Sequence, residues 1–234
     1  MTKEFAWWDD EWCAYDLETT GVDTETAHVV QAAIVRYRGG IVLDRRQVLC
    51  NPGIPIPADA TAIHGITDEM VANAKPEAEA LTGLVRWLAK RAVIVTYNGM
   101  SYDDKLVQRI TGLDLDTEWI DCARVDVLAL IRSPAVGKWW KGSGRHRLGA
   151  VAAKMGISID GALHDAATDA ETTARVLTAL LHHQTGFASY VQSLPADWRV
   201  TIKMKELCEA HEADFQRWKA KQPKKEEPCA TSDS

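Results

Sequence analysis

A pair of glycines separates two long runs of strand-forming residues near the start of the chain. Gly39 and Gly40 lie between the runs VVQAAIVRYR and IVLDRRQVLC, and such a pair is typical of the tight turn of a β-hairpin. A third run, WCAYDLE, precedes them and also favours a strand. The beginning of the chain therefore predicts three strands, two of which are antiparallel.

The middle of the chain changes to an alternation of helices and strands. The stretch IPIPADATAIHGITDEM is expected to form a long loop ending in a short helical turn, with Thr67 as its N-cap. Apolar residues at helical spacing predict a helix over residues 76–91, and the apolar run AVIVTYN then predicts a strand buried on both faces. Later segments predict a helix at Asp103–Ile110, a strand at Glu118–Cys122, and helices at Ala123–Ile131, Leu148–Met155 and Ala166–His183.

An antiparallel hairpin followed by strands joined through helices is typical of an α/β fold with a mixed sheet. We expect the ribonuclease H-like arrangement, in which helices flank antiparallel hairpin strands and parallel strands. The domain is expected to cover residues 1–185, followed by a helical extension at residues 186–219. Residues 220–234 are rich in Lys, Glu, Pro and Ser, so they predict a disordered tail.

Composition limits the kind of protein further. The chain has 234 residues, of which 46% are hydrophobic, and no run of eighteen apolar residues or secretory signal, so we expect a cytoplasmic protein without a membrane segment. Five scattered cysteines predict reduced thiols. The net charge of −6 does not exclude nucleic acid as a partner, because carboxylates that bind cations contribute negative charge that the cations neutralise.

Two acidic residues occupy one face of the first predicted strand. Asp16 and Glu18 are two residues apart, and side chains at that spacing point to the same side of a strand. Two adjacent carboxylates in a buried strand repel each other unless a cation lies between them. A soluble strand edge and a site for a hard divalent cation both remain possible from this pair alone.

Three further segments along the chain carry acidic, histidine and other polar residues that are candidates for a functional site. They are HGIT at residues 64–67, TYNGMSYDDKLV at residues 96–107 and HDAATDAETTARVL at residues 164–177. In the last segment, Asp169 lies closer than Asp165 to the apolar stripe of the predicted helix, at about 80° compared with about 120° from its centre. Asp169 is therefore the better candidate for a metal ligand, and Asp165 is expected to cap the helix.

Together with DLETTG at residues 16–21, these segments resemble the signatures of the DEDDh 3′-5′ exonucleases, over most of residues 11–183. Tyr97 stands where the family commonly has His, and the five-residue spacing from Asn98 to Asp103 is similar to the Tyr-Asn-x-x-x-Phe-Asp-Asp form of exonuclease I and related nucleases. Either Asp103 or Asp104 could be the acid that corresponds to the family's metal ligand. Asp103 is preferred because it follows the aromatic Tyr102, as the family's Asp follows Phe.

The resemblance implies a catalytic site and a mechanism. Asp16, Glu18, Asp103 and Asp169 would hold two divalent cations, Mg²⁺ or Mn²⁺, and His164 would be the general base for the attacking water. Nucleic acid 3′ ends would be the substrate. Expected contacts to the terminal nucleotide come from Thr19, Thr20, Gly21, His64 and Asn98.

Several alternatives stay open. The loop GKWWKGSGRHR combines Trp139 and Trp140 with basic residues, which suits single-stranded nucleic acid, but the tryptophans could equally pack on the domain. The substrate could be RNA rather than DNA, since the same residues would serve both. A further alternative is a proofreading or accessory module that binds a polymerase or repair partner through the C-terminal extension.

Overall fold

A computed structural model describes residues 11–38, 41–91, 93–132 and 144–183. In these ranges the chain forms a mixed sheet with helices on both faces, in the strand order β4-β3-β2-β1-β5-β6. The strands are β1 (Trp12–Thr19), β2 (Val29–Arg38), β3 (Ile41–Asn51), β4 (Lys75–Pro76), β5 (Val93–Thr96) and β6 (Ala123–Asp126). The helices are α1 (Ala58–His64), α2 (Asp68–Val71), α3 (Glu77–Leu88), α4 (Asp103–Thr111), α5 (Leu115–Glu118), α6 (Val127–Arg132), α7 (Leu148–Lys154) and α8 (Ala166–His183).

The pairing of the strands confirms the predicted mixed sheet. β2 is antiparallel to both β1 and β3, whereas β5 is parallel to β1 and to β6. The carboxyl ends of β1, β5 and β6 therefore meet at one edge of the sheet. Asp16 and Glu18 lie near the end of β1 and Asp103 follows β5, so the topology places all three acids at that edge.

The alternation of side chains along β1 divides the core into two layers. Trp12 and Ala14 pack on one face of the sheet with residues of α6, α7 and α8. Cys13, Tyr15 and Leu17 pack on the other face with residues of α3 and α4. Because strand side chains alternate, Asp16 and Glu18 continue the face that α8 covers.

Polar contacts fix the position of α8 on the sheet. The buried side-chain oxygen of Gln31 in β2 accepts the backbone N–H of Ala166, at 2.9 Å. From β3, Arg45 donates to the carboxylate of Glu171 at 2.5 Å. These contacts satisfy polar groups that the sheet would otherwise bury, and they hold the helix that carries Asp169 above β1 and β2.

The structure corrects three sequence predictions. The expected strand at Glu118–Cys122 is wrong, because Glu118 ends α5 and the strand begins at Ala123. The expected helix at 123–131 therefore contains β6 and begins only at Val127. The segment expected to be a loop with one helical turn contains two helices, α1 and α2. Thr67 is the N-cap residue of α2, but its side chain makes no capping hydrogen bond.

Some predictions concern residues outside the described ranges. They are the Gly39-Gly40 turn, the Trp139-Trp140 loop, the helical extension at 186–219 and the tail at 220–234. Within the described part of the chain, no helix is both long and apolar enough to span a bilayer.

Candidate active site

The carboxylates of β1 lie in an environment that disfavours negative charge. Loss of contact with water raises the pKa of Asp16 well above its ordinary value, and the carboxylates of Asp103, Asp169 and Glu18 raise it further. Burial, followed by the charge of Asp169, raises the pKa of Glu18 to about 8. The acids predicted from separate sequence segments therefore lie close enough together to repel one another.

Three of the predicted residues form a compact group of potential metal ligands. One atom each from Glu18, His164 and Asp169 lie within 4.8 Å of one another. His164 is exposed and has a φ of 66°, and its backbone N–H donates to Oδ2 of Asp169 at 3.3 Å. This left-handed backbone places His164 on the turn before α8, beside Asp169.

Asp165, which precedes α8, and Asp169, which lies in its first turn, have different hydrogen-bond partners. The Asp165 carboxylate accepts the backbone N–H of Thr168 at 3.1 Å and its hydroxyl at 2.9 Å. That contact is the N-cap interaction expected for Asp165. By contrast, Oδ1 of Asp169 is buried and accepts no hydrogen bond from any described residue.

The structure distinguishes Asp103 from Asp104 by their partners. Asp104 accepts a hydrogen bond from the hydroxyl of Tyr15 and forms an ion pair with Arg124. Asp103 lies near Asp16 instead, and burial raises its pKa to about 7, although the backbone N–H of Leu17 partly opposes this shift. Asp104 thus has a cationic partner of its own, whereas Asp103 faces the acid cluster.

Asp126 is a buried acid beside the site that the sequence reasoning missed. It ends β6 and accepts the backbone N–H groups of Asn98 and Leu128, each at 3.0 Å, and raises the pKa of Asp103. The signal that could have identified it is an acid that ends a short alternation of apolar and charged residues, Ala123–Asp126. That strand was predicted a few residues too early, so Asp126 fell inside an expected helix.

Thr19, Thr20 and Gly21 form a turn at which the β1–β2 pairing shifts register. The Thr19 hydroxyl donates to the carbonyl of Gly21 at 2.8 Å, and the hydroxyl of Tyr102 also contacts both residues. The Thr20 hydroxyl accepts the backbone N–H of His28 at 2.9 Å. The predicted substrate contacts of this turn stay predictions, and both hydroxyls already stabilise the turn.

His64 is the last residue of α1, and Asn98 lies on the turn that follows β5. The Nδ1 atom of His64 accepts the backbone N–H of Ile66 at 3.0 Å, so the neutral ring carries its proton on Nε2. Nε2 is buried, and the backbone carbonyl of Thr19 lies close enough to favour the protonated ring. Burial lowers the pKa of His64, and His164 lies close enough to lower it further.

Asn98 has a left-handed φ of 69° and its side-chain oxygen accepts the Ser101 hydroxyl at 2.9 Å. Asparagine is one of the few residues that adopt this conformation at low cost. Its position is therefore explained by the turn that leads from β5 to Asp103, and a contact with substrate stays a prediction.

The donor set fits a divalent metal ion. Carboxylate oxygens are the ligands that Mg²⁺ and Mn²⁺ prefer, and here they are partly desolvated and mutually repulsive. Oδ1 of Asp169 is buried and has no hydrogen-bond donor among the described residues, so an electropositive partner would stabilise it. These observations are the ones expected of residues that hold a cation.

Comparison with known proteins agrees with this chemistry. A model of the family RNase_T, described as Exonuclease, matches residues 13–177. The protein named uncharacterized exonuclease CP81, from Escherichia phage 186, is 34% identical over 183 residues, which cover 74% of this chain and 90% of CP81.

Two other relatives are much longer proteins. A DNA polymerase III subunit epsilon-like protein of Rhodobacter capsulatus is 34% identical over 174 residues, covering 71% of this chain and 23% of that protein. DNA polymerase III PolC-type of Listeria welshimeri is 28% identical over 176 residues, covering 74% of this chain and 11% of the polymerase. This chain therefore corresponds to a small part of each of these two relatives.

Solved structures with a similar fold include exonuclease I. The Escherichia coli enzyme in complex with a dT13 oligonucleotide has a TM-score of 0.63 at 20% identity, covering 80% of this chain and 46% of that chain. The exonuclease I of Methylocaldum szegediense also has a TM-score of 0.63, at 24% identity, covering 77% of this chain and 43% of that chain. At these identities the likeness concerns the fold.

Proposed function

This chain belongs to the RNase_T family of exonucleases, of the DEDDh type with a ribonuclease H-like fold. From this premise we propose that it removes nucleotides from the 3′ end of single-stranded DNA, in a reaction that needs divalent cations. The products would be nucleoside 5′-monophosphates. The observation that carries the proposal is the convergence of Glu18, Asp169 and His164 within 4.8 Å, on the face of β1 that also carries Asp16.

The carboxylates of Asp16, Glu18, Asp103 and Asp169 would hold two ions, Mg²⁺ or Mn²⁺. When bound, such ions polarise the phosphate and favour ionisation of a water molecule. The high pKa values of Asp16 and Glu18 support this assignment, because a cation would relieve the repulsion that causes part of each shift.

His164 would act as the general base. Its ring lies beside Glu18 and Asp169, and its exposed position gives a water molecule access to the ring nitrogen. The ordinary pKa of histidine, near 6.5, allows a neutral imidazole to accept a proton at physiological pH. The hydrogen bond from the His164 backbone to Asp169 would keep the base next to the metal ligand.

The terminal nucleotide would bind beside these groups. The turn at residues 19–21 follows Glu18 directly, and the Thr20 hydroxyl, which accepts the His28 N–H, keeps its own proton for donation. His64 would donate a hydrogen bond from Nε2, which carries the proton of the neutral ring because Nδ1 accepts the Ile66 N–H. Single-stranded DNA is proposed because structural neighbours are exonuclease I enzymes, one of them solved with a dT13 oligonucleotide.

The test uses 5′-labelled linear oligonucleotides of one sequence as DNA and as RNA, together with closed circular single-stranded DNA. We expect a ladder of progressively shortened linear DNA in Mg²⁺, no products in EDTA, and intact circles. Cleavage of the circles would contradict exonuclease action, and faster shortening of the RNA would transfer the proposal to the exoribonuclease alternative. Immediate release of a short labelled 5′ fragment would contradict the 3′-5′ direction.

A further inference from the structure

A buried polar cluster lies on the opposite face of the sheet from the acids of the proposed active site. The hydroxyl of Tyr15 donates to Oδ1 of Asp104, and the guanidinium of Arg124 pairs with Oδ2 of the same carboxylate. Tyr15 is 1% exposed and Asp104 is 4% exposed. A buried carboxylate that has both partners is held in one orientation, since losing Arg124 would leave its charge unpaired and losing Tyr15 would leave one oxygen without a donor.

The three members come from three different elements that meet at the proposed site. Tyr15 belongs to β1 and immediately precedes Asp16, while Asp104 belongs to α4 and immediately follows Asp103. Arg124 belongs to β6. The Tyr15–Asp104–Arg124 cluster therefore joins the backbones that carry Asp16 and Asp103, one residue away from each of them.

Neighbouring side chains fix the guanidinium of Arg124. It lies 5.2 Å from the centre of the Trp119 ring, and it also donates to Asp116 at 3.3 Å. The Trp119 ring in turn contacts Tyr15 edge-on, at 6.0 Å between ring centres. Because Arg124 is held by an aromatic face and a second carboxylate, it provides a rigid anchor for Asp104.

We propose that Tyr15, Asp104 and Arg124 are positioning residues that set the separation of the Asp16 and Asp103 carboxylates and so determine how tightly the site binds divalent cations. The inference rests on the proposed function, in which Asp16 and Asp103 hold the metal. Asp16 and Asp103 repel each other, so their backbones need a tie that resists separation. The cluster supplies that tie without adding a charge to the face that binds the metal.

The experiment measures Mn²⁺ binding to the full chain without nucleic acid, by electron paramagnetic resonance of the free ion. Tyr15→Phe removes only the hydroxyl, and we expect about tenfold weaker Mn²⁺ binding, as for other groups that orient metal ligands. The matched control is Tyr37→Phe, since Tyr37 is also buried in the sheet and its hydroxyl bonds to Thr178. The control should bind Mn²⁺ as the unaltered protein does.

Asp104→Asn provides a second, independent variant. It preserves the shape and the acceptor for Tyr15, and Arg124 keeps its contact with Asp116. We expect weaker Mn²⁺ binding here too, together with a kcat that saturating Mn²⁺ restores and an unchanged KM for DNA. A purely structural role would lower the melting temperature without this dependence on metal concentration.

The outcomes separate this inference from the proposed function. If the unaltered protein binds no Mn²⁺, the proposed metal site itself is contradicted. If it binds Mn²⁺ and folded Tyr15→Phe and Asp104→Asn bind it equally well, the metal site stands and the positioning role is overturned. Equal weakening in Tyr37→Phe would also overturn it, because the effect would then follow from any lost tyrosine hydroxyl.

Discussion

Asp103 and Asp104 are adjacent at the start of α4, yet within the described part of the chain only Asp104 forms an ion pair, with the partly buried Arg124. Arg124 neutralises Asp104 on one face of the sheet, whereas the neighbours that act on Asp103 include the carboxylate of Asp126. Two chemically identical side chains thus lie in different electrostatic surroundings. The same contrast separates Asp165, which caps α8, from Asp169.

The acid cluster should make the metal-free protein less stable as the pH rises. The pKa of Glu18 is about 8 and that of Asp103 about 7 in the folded chain, above their ordinary values of 4.5 and 3.8. The folded state therefore binds more protons than the unfolded state. The contribution of these two groups to the free energy of unfolding is complete below about pH 4 and is lost as the pH rises towards 8.

Urea unfolding in EDTA between pH 5.5 and 8.5 tests this expectation. The free energy of unfolding should fall with pH, and Glu18→Gln should reduce the slope because it removes one of the titrating groups. The ion-paired acids Glu11 and Asp44 have lowered pKa values, so their contribution is complete below this range. A flat or rising profile in the unaltered protein would contradict the cluster.

Replacing His164 should affect the rate more than the binding of metal. Loss of a general base typically lowers the rate by about 10² to 10⁴, so we expect His164→Asn to reduce kcat within that range at saturating Mg²⁺. The comparison is His64→Gln, for which we expect mainly a higher KM, because His64 is proposed to contact the nucleotide. Steady-state kinetics on one oligonucleotide measures both, and an unchanged kcat for His164→Asn would remove the histidine from the mechanism.

The turn that leads into Asp103 requires a glycine. A Cβ atom on Gly99 would lie 2.5 Å from the Cβ of Thr96, so Gly99→Ala forces the backbone or β5 to move. We expect a loss of about 1–3 kcal/mol in the free energy of unfolding, as for overpacking in a core. The control is Gly83→Ala in α3, where a Cβ meets nothing within 4 Å and alanine should add about 0.5–1 kcal/mol. Thermal and urea unfolding compare the two, and a neutral Gly99→Ala would disprove the close contact.

The first residue of α8 depends on a buried side-chain acceptor. Gln31→Met would leave the Ala166 N–H without its partner in the core, at a cost of about 1–3 kcal/mol. Gln47→Met removes a similar but exposed contact, from Gln47 to Asp165, and should change stability by less than about 0.5 kcal/mol. Equal effects of the two substitutions on urea unfolding would show that burial of the Gln31 contact is unimportant.

The sequence predicted the elements whose periodicity is strong. Because side chains of a strand alternate with a period of two residues, the spacing of Asp16 and Glu18 placed them on one face. The apolar stripe of residues 166–183 predicted both α8 and the preference for Asp169 over Asp165. The error at Glu118–Cys122 has a physical cause. Trp119 and Cys122 are buried in the core after α5, so their apolar character reflects helix-side packing and not a strand.

Contacts between distant segments could not be predicted from the sequence. The pairing of Asp104 with Arg124 and Tyr15 depends on how α4 packs on the sheet, which local patterns do not specify. For the same reason, the sequence did not reveal that Asp126 supports the turn before Asp103. The roles of Trp139, Trp140 and the C-terminal extension stay predictions, since these residues lie outside the described ranges.

The central claim is tested most directly by the first product released from 3′-labelled single-stranded DNA, compared between the unaltered protein and Asp169→Asn. Asparagine keeps the shape of the side chain but removes the charge of the unpartnered Oδ1. We expect labelled mononucleotide as the earliest product of the unaltered protein in Mg²⁺, and none from equally folded Asp169→Asn. Mononucleotide release by folded Asp169→Asn at the unaltered rate would contradict it.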